Sequence, residues 1–191
     1  MSATTSSDGA KTVFRLTELL RQRSLTRGDF VLSSGRRSNF YIDARRTTMS
    51  GEGQTLVGAA GLAAIHARGW QPRAVGGLTL GADPVAYAIA HAARLSGTPL
   101  DAFTVRKQAK DHGTGRRIEG CLEAGDPVVV CEDVLTTGGS ALEAVAAVRA
   151  AGAQVLGVLA VLDREEGGRQ AIEAAGLAVA VLVTARDLGV E

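Results

Sequence analysis

Cysteine is almost missing from this chain. Its 191 residues include only Cys121 and Cys131, which match no metal-ligand pattern and provide no disulfide framework. That usage suits a reducing compartment, and a cytoplasmic protein is expected. A charge excess is missing too: 21 Lys and Arg against 20 Asp and Glu leave +1, which argues against a general nucleic-acid binder. No apolar run is long enough to span a bilayer, so no membrane partner is expected. Aromatic residues make up 4% of the chain, so the core has to be packed from small aliphatic side chains. There is no internal repeat, no interdomain linker, no P-loop ending in Gly-Lys-Ser/Thr, and no Ser-His-Asp or Cys-His set for covalent catalysis. One domain is the default at this length.

What is present centres on residues 128–140. Val128-Val129-Val130-Cys131 reads as a strand buried on both faces. Glu132 and Asp133 follow at its C-terminal end, where open α/β sheets bind ligands. Val134 and Leu135 lead into Thr136-Thr137-Gly138-Gly139-Ser140, and residues 141–149 have helical composition and spacing. Glycines allow backbone N–H groups to converge on an anion, and a first helical turn leaves such donors unpaired. The two acids would repel a phosphate beside them. They suit sugar hydroxyls or a hydrated divalent cation. A ribose 5-phosphate satisfies both halves; an ordinary βα turn with Ser/Thr capping is the competing explanation.

Residues 1–10 are Ser/Thr-rich without an apolar core and are expected to be a disordered tail. Val13, Leu16, Leu19 and Leu20 predict an amphipathic helix to about Arg23, and Phe30-Val31-Leu32 a short strand. Residues 33–43 form a polar, basic turn leading into an aromatic strand. Ser50 can cap a helix running to about Arg68. A buried strand at 74–76 leads through the glycine-flanked loop 77–81 to a helix over 82–95. His66, Trp70 and His91 are expected to be structural or exposed. After a strand at 102–105 comes a segment with no hydrophobic period, running from Arg106 and Lys107 through Lys110 and His112 to Gly120, with five Lys or Arg and three glycines. Taken alone, it could be a solvated face. A further buried strand, 155–162, ends at Asp163-Arg164-Glu165-Glu166, where Arg164 could simply pair with a neighbouring glutamate.

The stretch from Val128 to Ser140 resembles the phosphoribosyl-diphosphate (PRPP) motif of type I phosphoribosyltransferases. Residues 106–120 resemble the catalytic loop of orotate phosphoribosyltransferases nearly residue for residue, and residues 33–43 resemble that family's N-terminal substrate loop. This chain has Ser33 where many members have Lys, and Ile42 where a second aromatic is common. The resemblance covers nearly everything after the tail. It implies a type I phosphoribosyltransferase fold, a central mostly parallel sheet flanked by helices, with residues 11–191 as one domain and a small hood from about 11–45. It implies transfer of phosphoribose from PRPP to orotate, giving orotidine 5′-monophosphate and pyrophosphate in pyrimidine synthesis.

By the same resemblance, PRPP falls to Arg106, Lys107, Lys110, His112 and residues Glu132, Asp133, Val134, Leu135, Thr136, Thr137, Gly138, Gly139 and Ser140. Lys107, Lys110 and His112 carry the catalysis. Orotate falls to Tyr41, Ile42, Thr136 and Arg164. Mg²⁺ is implied as cofactor, held mainly by PRPP and not directly by the protein. A homodimer is implied, with the catalytic loop shared between subunits. Two other readings stay open: a PRPP-sensing regulator without chemistry, and a transferase for a purine base, which would have no use for a carboxylate-gripping Arg164.

Overall fold

The computed structural model describes residues 4–31, 35, 37–108 and 117–190, with side chains from residue 8. Helix α1 (Thr4–Arg23) leads to strands β1 (Leu25–Val31) and β2 (Arg37–Ile42), which form a separate antiparallel hairpin. Then follow α2 (Arg45–Thr48), α3 (Gly51–Ala67), β3 (Ala74–Leu78), α4 (Ala82–Leu95), β4 (Asp101–Val105) and β5 (Ile118–Gly120). The chain closes with β6 (Pro127–Leu135), α5 (Gly139–Ala150), β7 (Gln154–Asp163), α6 (Gly168–Ala174), β8 (Ala178–Thr184) and a 3₁₀ turn at Arg186–Leu188.

The main sheet has the order β5-β4-β3-β6-β7-β8 and is parallel except for β5, which pairs antiparallel with β4. Successive side chains of a strand point to opposite faces, and β6 shows the result. Val129 and Cys131 pack on the face covered by α1, α3 and α4, with Leu16, Val57 and Ile89. Val128 and Val130 pack on the other face, with Ala144, Val148 and Ile172 of α5 and α6. Burial on both sides explains why the strand reads as an unbroken apolar run. Ser50 accepts the Gly53 N–H at 3.1 Å and caps α3. Trp70 covers β7 where Gly157 leaves room: a Cβ there would stand 2.3 Å from its ring.

Three boundaries differ from the sequence expectation. Helix α1 starts at Thr4, inside the stretch expected to be a disordered tail. Its Ser/Thr-rich start carries no apolar period, and within the helix the Thr12 hydroxyl donates to the Asp8 carbonyl at 2.9 Å. Strand β1 starts at Leu25, because most of its residues face solvent and leave no alternation to read. Strand β6 runs through Glu132 and Asp133 to Leu135, with Leu135 paired to Asp163 of β7. The two acids therefore sit within the strand and not after it.

The cationic segment springs from a paired stem. Val105 of β4 pairs with Ile118 of β5, and the Arg106 N–H donates to the Arg117 carbonyl at 2.8 Å. The Arg117 guanidinium turns back on the Arg106 carbonyl at 3.2 Å and pairs with Glu143 of α5. The two ends of the segment thus lie side by side.

Candidate active site

The C-terminal ends of β3, β6 and β7 open into a cleft of about 490 Å³, closed on one side by the end of β2. Tyr41, Ile42, Lys107, Glu132, Asp133, Val134, Thr136, Ser140 and Arg164 all line it, drawn from separate sequence stretches. Tyr41 is partly exposed, and its ring lies 5.7 Å from that of Phe30. The Ile42 side chain belongs to the core beneath. Lys110 and His112 lie outside the described residues. Arg106 pairs with Glu119 at 3.6 Å and does not line the cleft. The Leu135 side chain is buried in the second core, so its side chain faces away from any ligand here.

Beyond Leu135 the chain turns into α5 through Gly138, whose φ of +84° is left-handed and favours glycine. No side chain caps α5. The Ser/Thr-capping explanation of this turn therefore fails at its N-cap, and the first-turn N–H groups are left for an anion. Thr136 and Ser140 add hydroxyls at the same end of the cleft.

The acids define its middle. Glu132 is 6% exposed. Burial, then the charge of Asp133, pushes its carboxyl up to about 8. Asp133 stays on the cleft side and accepts the Val134 N–H at 2.9 Å. The loop 79–81 presses directly against it. A Cβ on Gly81 would stand 2.3 Å from Asp133 Oδ1, so only glycine lets the loop and the carboxylate approach this closely.

Arg164 closes the far end. Its backbone N–H donates to the Leu135 carbonyl at 2.9 Å, which ties the end of β7 to the end of β6. Its side chain is 8% exposed and pairs with Glu166 at 2.8 Å. The guanidinium carbon lies 5.0 Å from the centre of the Phe40 ring. Nε is buried with no hydrogen-bond partner among the described residues. A fork with one edge occupied, one donor unspent and an aromatic ring behind it is suited to a planar carboxylate.

Sequence reasoning missed Arg45, which also lines the cleft. It bonds Asp43 Oδ1 through Nε at 2.9 Å, and that carboxylate raises its pKa. Its place three residues beyond the end of the aromatic strand was the available signal. Cys131 is fully buried, its thiol pushed up to about 12 by burial, which makes it a core residue and not a nucleophile.

Paired acids on a parallel strand, followed by an anion cradle at a helix N-terminus, form the layout of an enzyme that handles a phosphorylated sugar. The phosphoribosyl transferase domain family matches residues 53–174. The orotate phosphoribosyltransferase of Aquifex aeolicus is 49% identical over 85% of this chain and 90% of its own length. That of Mycobacterium avium is 50% identical over 91% and 94%. The Mycobacterium tuberculosis orotate phosphoribosyltransferase in complex with PRPP superimposes with a TM-score of 0.79 at 44% identity, covering 94% of this chain and 99% of that one. An adenine phosphoribosyltransferase from Leishmania tarentolae, 17% identical with a TM-score of 0.61, shares the fold. The chain belongs to the orotate phosphoribosyltransferase family.

Proposed function

We propose that this protein transfers the phosphoribosyl group of PRPP to orotate, forming orotidine 5′-monophosphate and pyrophosphate. The observation that carries the reading is Arg164 over Phe40, with an unspent buried donor, in the same cleft as the α5 N-terminus and the acid pair. The 5-phosphate would take the N–H groups and hydroxyls of residues 136–140. The ribose hydroxyls would meet Glu132 and Asp133, where a protonated Glu132 donates and Asp133 accepts. Orotate would lie against the Tyr41 ring and the strand end at Ile42, its carboxylate on Arg164 and a further contact from Thr136.

In the reaction the bond from ribose C1 to the diphosphate oxygen breaks and its electron pair leaves with pyrophosphate. The new bond forms to N1 of orotate, whose proton passes to the released pyrophosphate or to solvent. Positive charge builds on the ribose and negative charge on the leaving group, so the protein's main work is electrostatic and positional. Lys107 already lines the cleft. Lys110 and His112 would supply the remaining charge when the cationic segment covers the site, some of it from a second subunit of a homodimer.

Among the described residues no group of three His, Cys, Asp or Glu is placed to hold a metal. Asp133, on the cleft side of the acid pair, can take the water of a hydrated Mg²⁺ that arrives with PRPP. The ion would neutralise part of the diphosphate charge. Two free thiols, one exposed and one buried, fit a cytoplasmic setting. No helix among the described residues is long and apolar enough to cross a membrane.

The test is to mix the protein with PRPP, Mg²⁺ and either orotate or adenine and to follow base absorbance. Consumption of orotate alone is expected. Consumption of adenine, or of neither base, refutes the reading.

A further inference from the structure

One hydrogen-bonded cluster beside the cleft has no place in the scheme above. Asp83 sits in the first turn of α4, and its carboxylate accepts two hydroxyls. The Thr79 hydroxyl donates to Oδ2 at 2.6 Å, and the Thr104 hydroxyl donates to Oδ1 at 2.8 Å. Because the Thr104 proton is spent on Asp83, the Tyr87 hydroxyl, 2.9 Å away, must be the donor to Thr104. The Thr79 backbone N–H donates to the Val105 carbonyl at 2.8 Å. Thr79 is therefore fixed twice to the last two residues of β4: directly through its backbone, and through Asp83 by its side chain.

Those two anchor points have different duties. Thr79, Leu80 and Gly81 form the cleft wall that presses on Asp133. Thr104 and Val105 are the last residues before the stem of the cationic segment, which enters the cleft at Lys107. We infer that Asp83 is a positioning residue: it holds the wall that abuts Asp133, the proposed ribose contact of PRPP, at a fixed distance from Lys107 just past the end of β4. The inference rests on the transferase reading and adds to it the means by which two loops from different strands keep register. A carboxylate with two short acceptor bonds is suited to this, because it aligns two hydroxyl donors at once and leaves neither proton free. It also gives Thr79 a defined role, since a hydroxyl that donates to Asp83 faces the cleft only as an acceptor.

The alternative is that Asp83 merely starts helix α4, where an acidic residue favours the helix dipole. Thr104→Val separates the two, because it removes the hydroxyl that links wall to stem, keeps the side chain's shape, and leaves Asp83 in its helix. Steady-state kinetics and thermal melting of the full chain would be measured with PRPP and orotate varied in turn. We expect kcat/KM for PRPP to fall by about tenfold or more, the scale on which small misplacements act. The orotate KM should stay within about twofold, because Arg164 and Tyr41 lie on other elements. Thr104→Ser, which restores the hydroxyl, should recover most of the loss, and Asp83→Asn, which keeps one acceptor oxygen, should fall between. Unchanged kinetics in Thr104→Val, equal losses for both substrates, or no recovery in Thr104→Ser would overturn the inference. The wild-type protein in the same assay reports on the transferase reading itself: if it is active and Thr104→Val matches it, only the positioning role fails.

Discussion

At the scale of single residues, two side chains carry the sharpest consequences. Arg164 is nearly enclosed, and its guanidinium lies over the Phe40 ring. Arg164→Ala should raise the orotate KM by roughly a hundredfold, the cost of removing one partner of a buried charged pair, while sparing PRPP. Equal losses for the two substrates, measured by initial rates, would remove Arg164 from the orotate end. Lys should not substitute well, because a point charge cannot reproduce the fork or the stack. Glu132 gives a pH dependence. Its carboxyl moves from an ordinary 4.5 when unfolded to about 8 when folded, so the folded state holds the proton more tightly. The penalty for ionising it in place is absent below about 4.5 and complete above about 8. Melting temperature of the ligand-free protein should therefore decline across that range, and Glu132→Gln should flatten the decline.

At the scale of elements, close approach sets the cleft. Helix α4 and the loop before it reach Asp133 only because Gly81 has no side chain. Gly81→Ala should push the loop off the carboxylate and lower kcat/KM for PRPP by ~10-fold or more, as misplaced catalytic groups do. Circular dichroism should show the helices retained. The elements also show what could be read in the sequence. Strand β6 and helices α3, α4 and α5 were legible, because each buries a face or two and leaves an apolar signature. The first half of strand β1 and the start of α1 were not, because Thr26 to Asp29 are exposed and the Ser/Thr-rich start of α1 has no apolar period. In the site, the acid pair and Arg164 were legible as chemistry placed at strand ends. Arg45 belongs to no motif and was passed over, and the Thr79–Asp83–Thr104 cluster was not legible because it joins β4 to the loop after β3.

At the scale of the whole molecule, the proposal of a shared cationic segment makes a prediction about mixtures. Lys110→Ala should lose activity through the segment, and Asp133→Ala through the cradle. If one subunit's segment serves its partner's cleft, random reassortment of the two inactive variants creates sites that carry neither change. Co-refolding them should then restore about a quarter of the wild-type activity, as expected for a two-fold dimer. Rates that remain at the level of the separate variants would show that each subunit completes its own site.

The antiparallel stem at Val105 and Ile118 has a consequence for how this family's chains can change over time. Since the intervening stretch departs from and returns to the same rung, its length and composition can drift without disturbing a single strand pairing elsewhere. Under the proposed role of that stretch, its chemistry can be reshaped while the sheet that carries it stays intact.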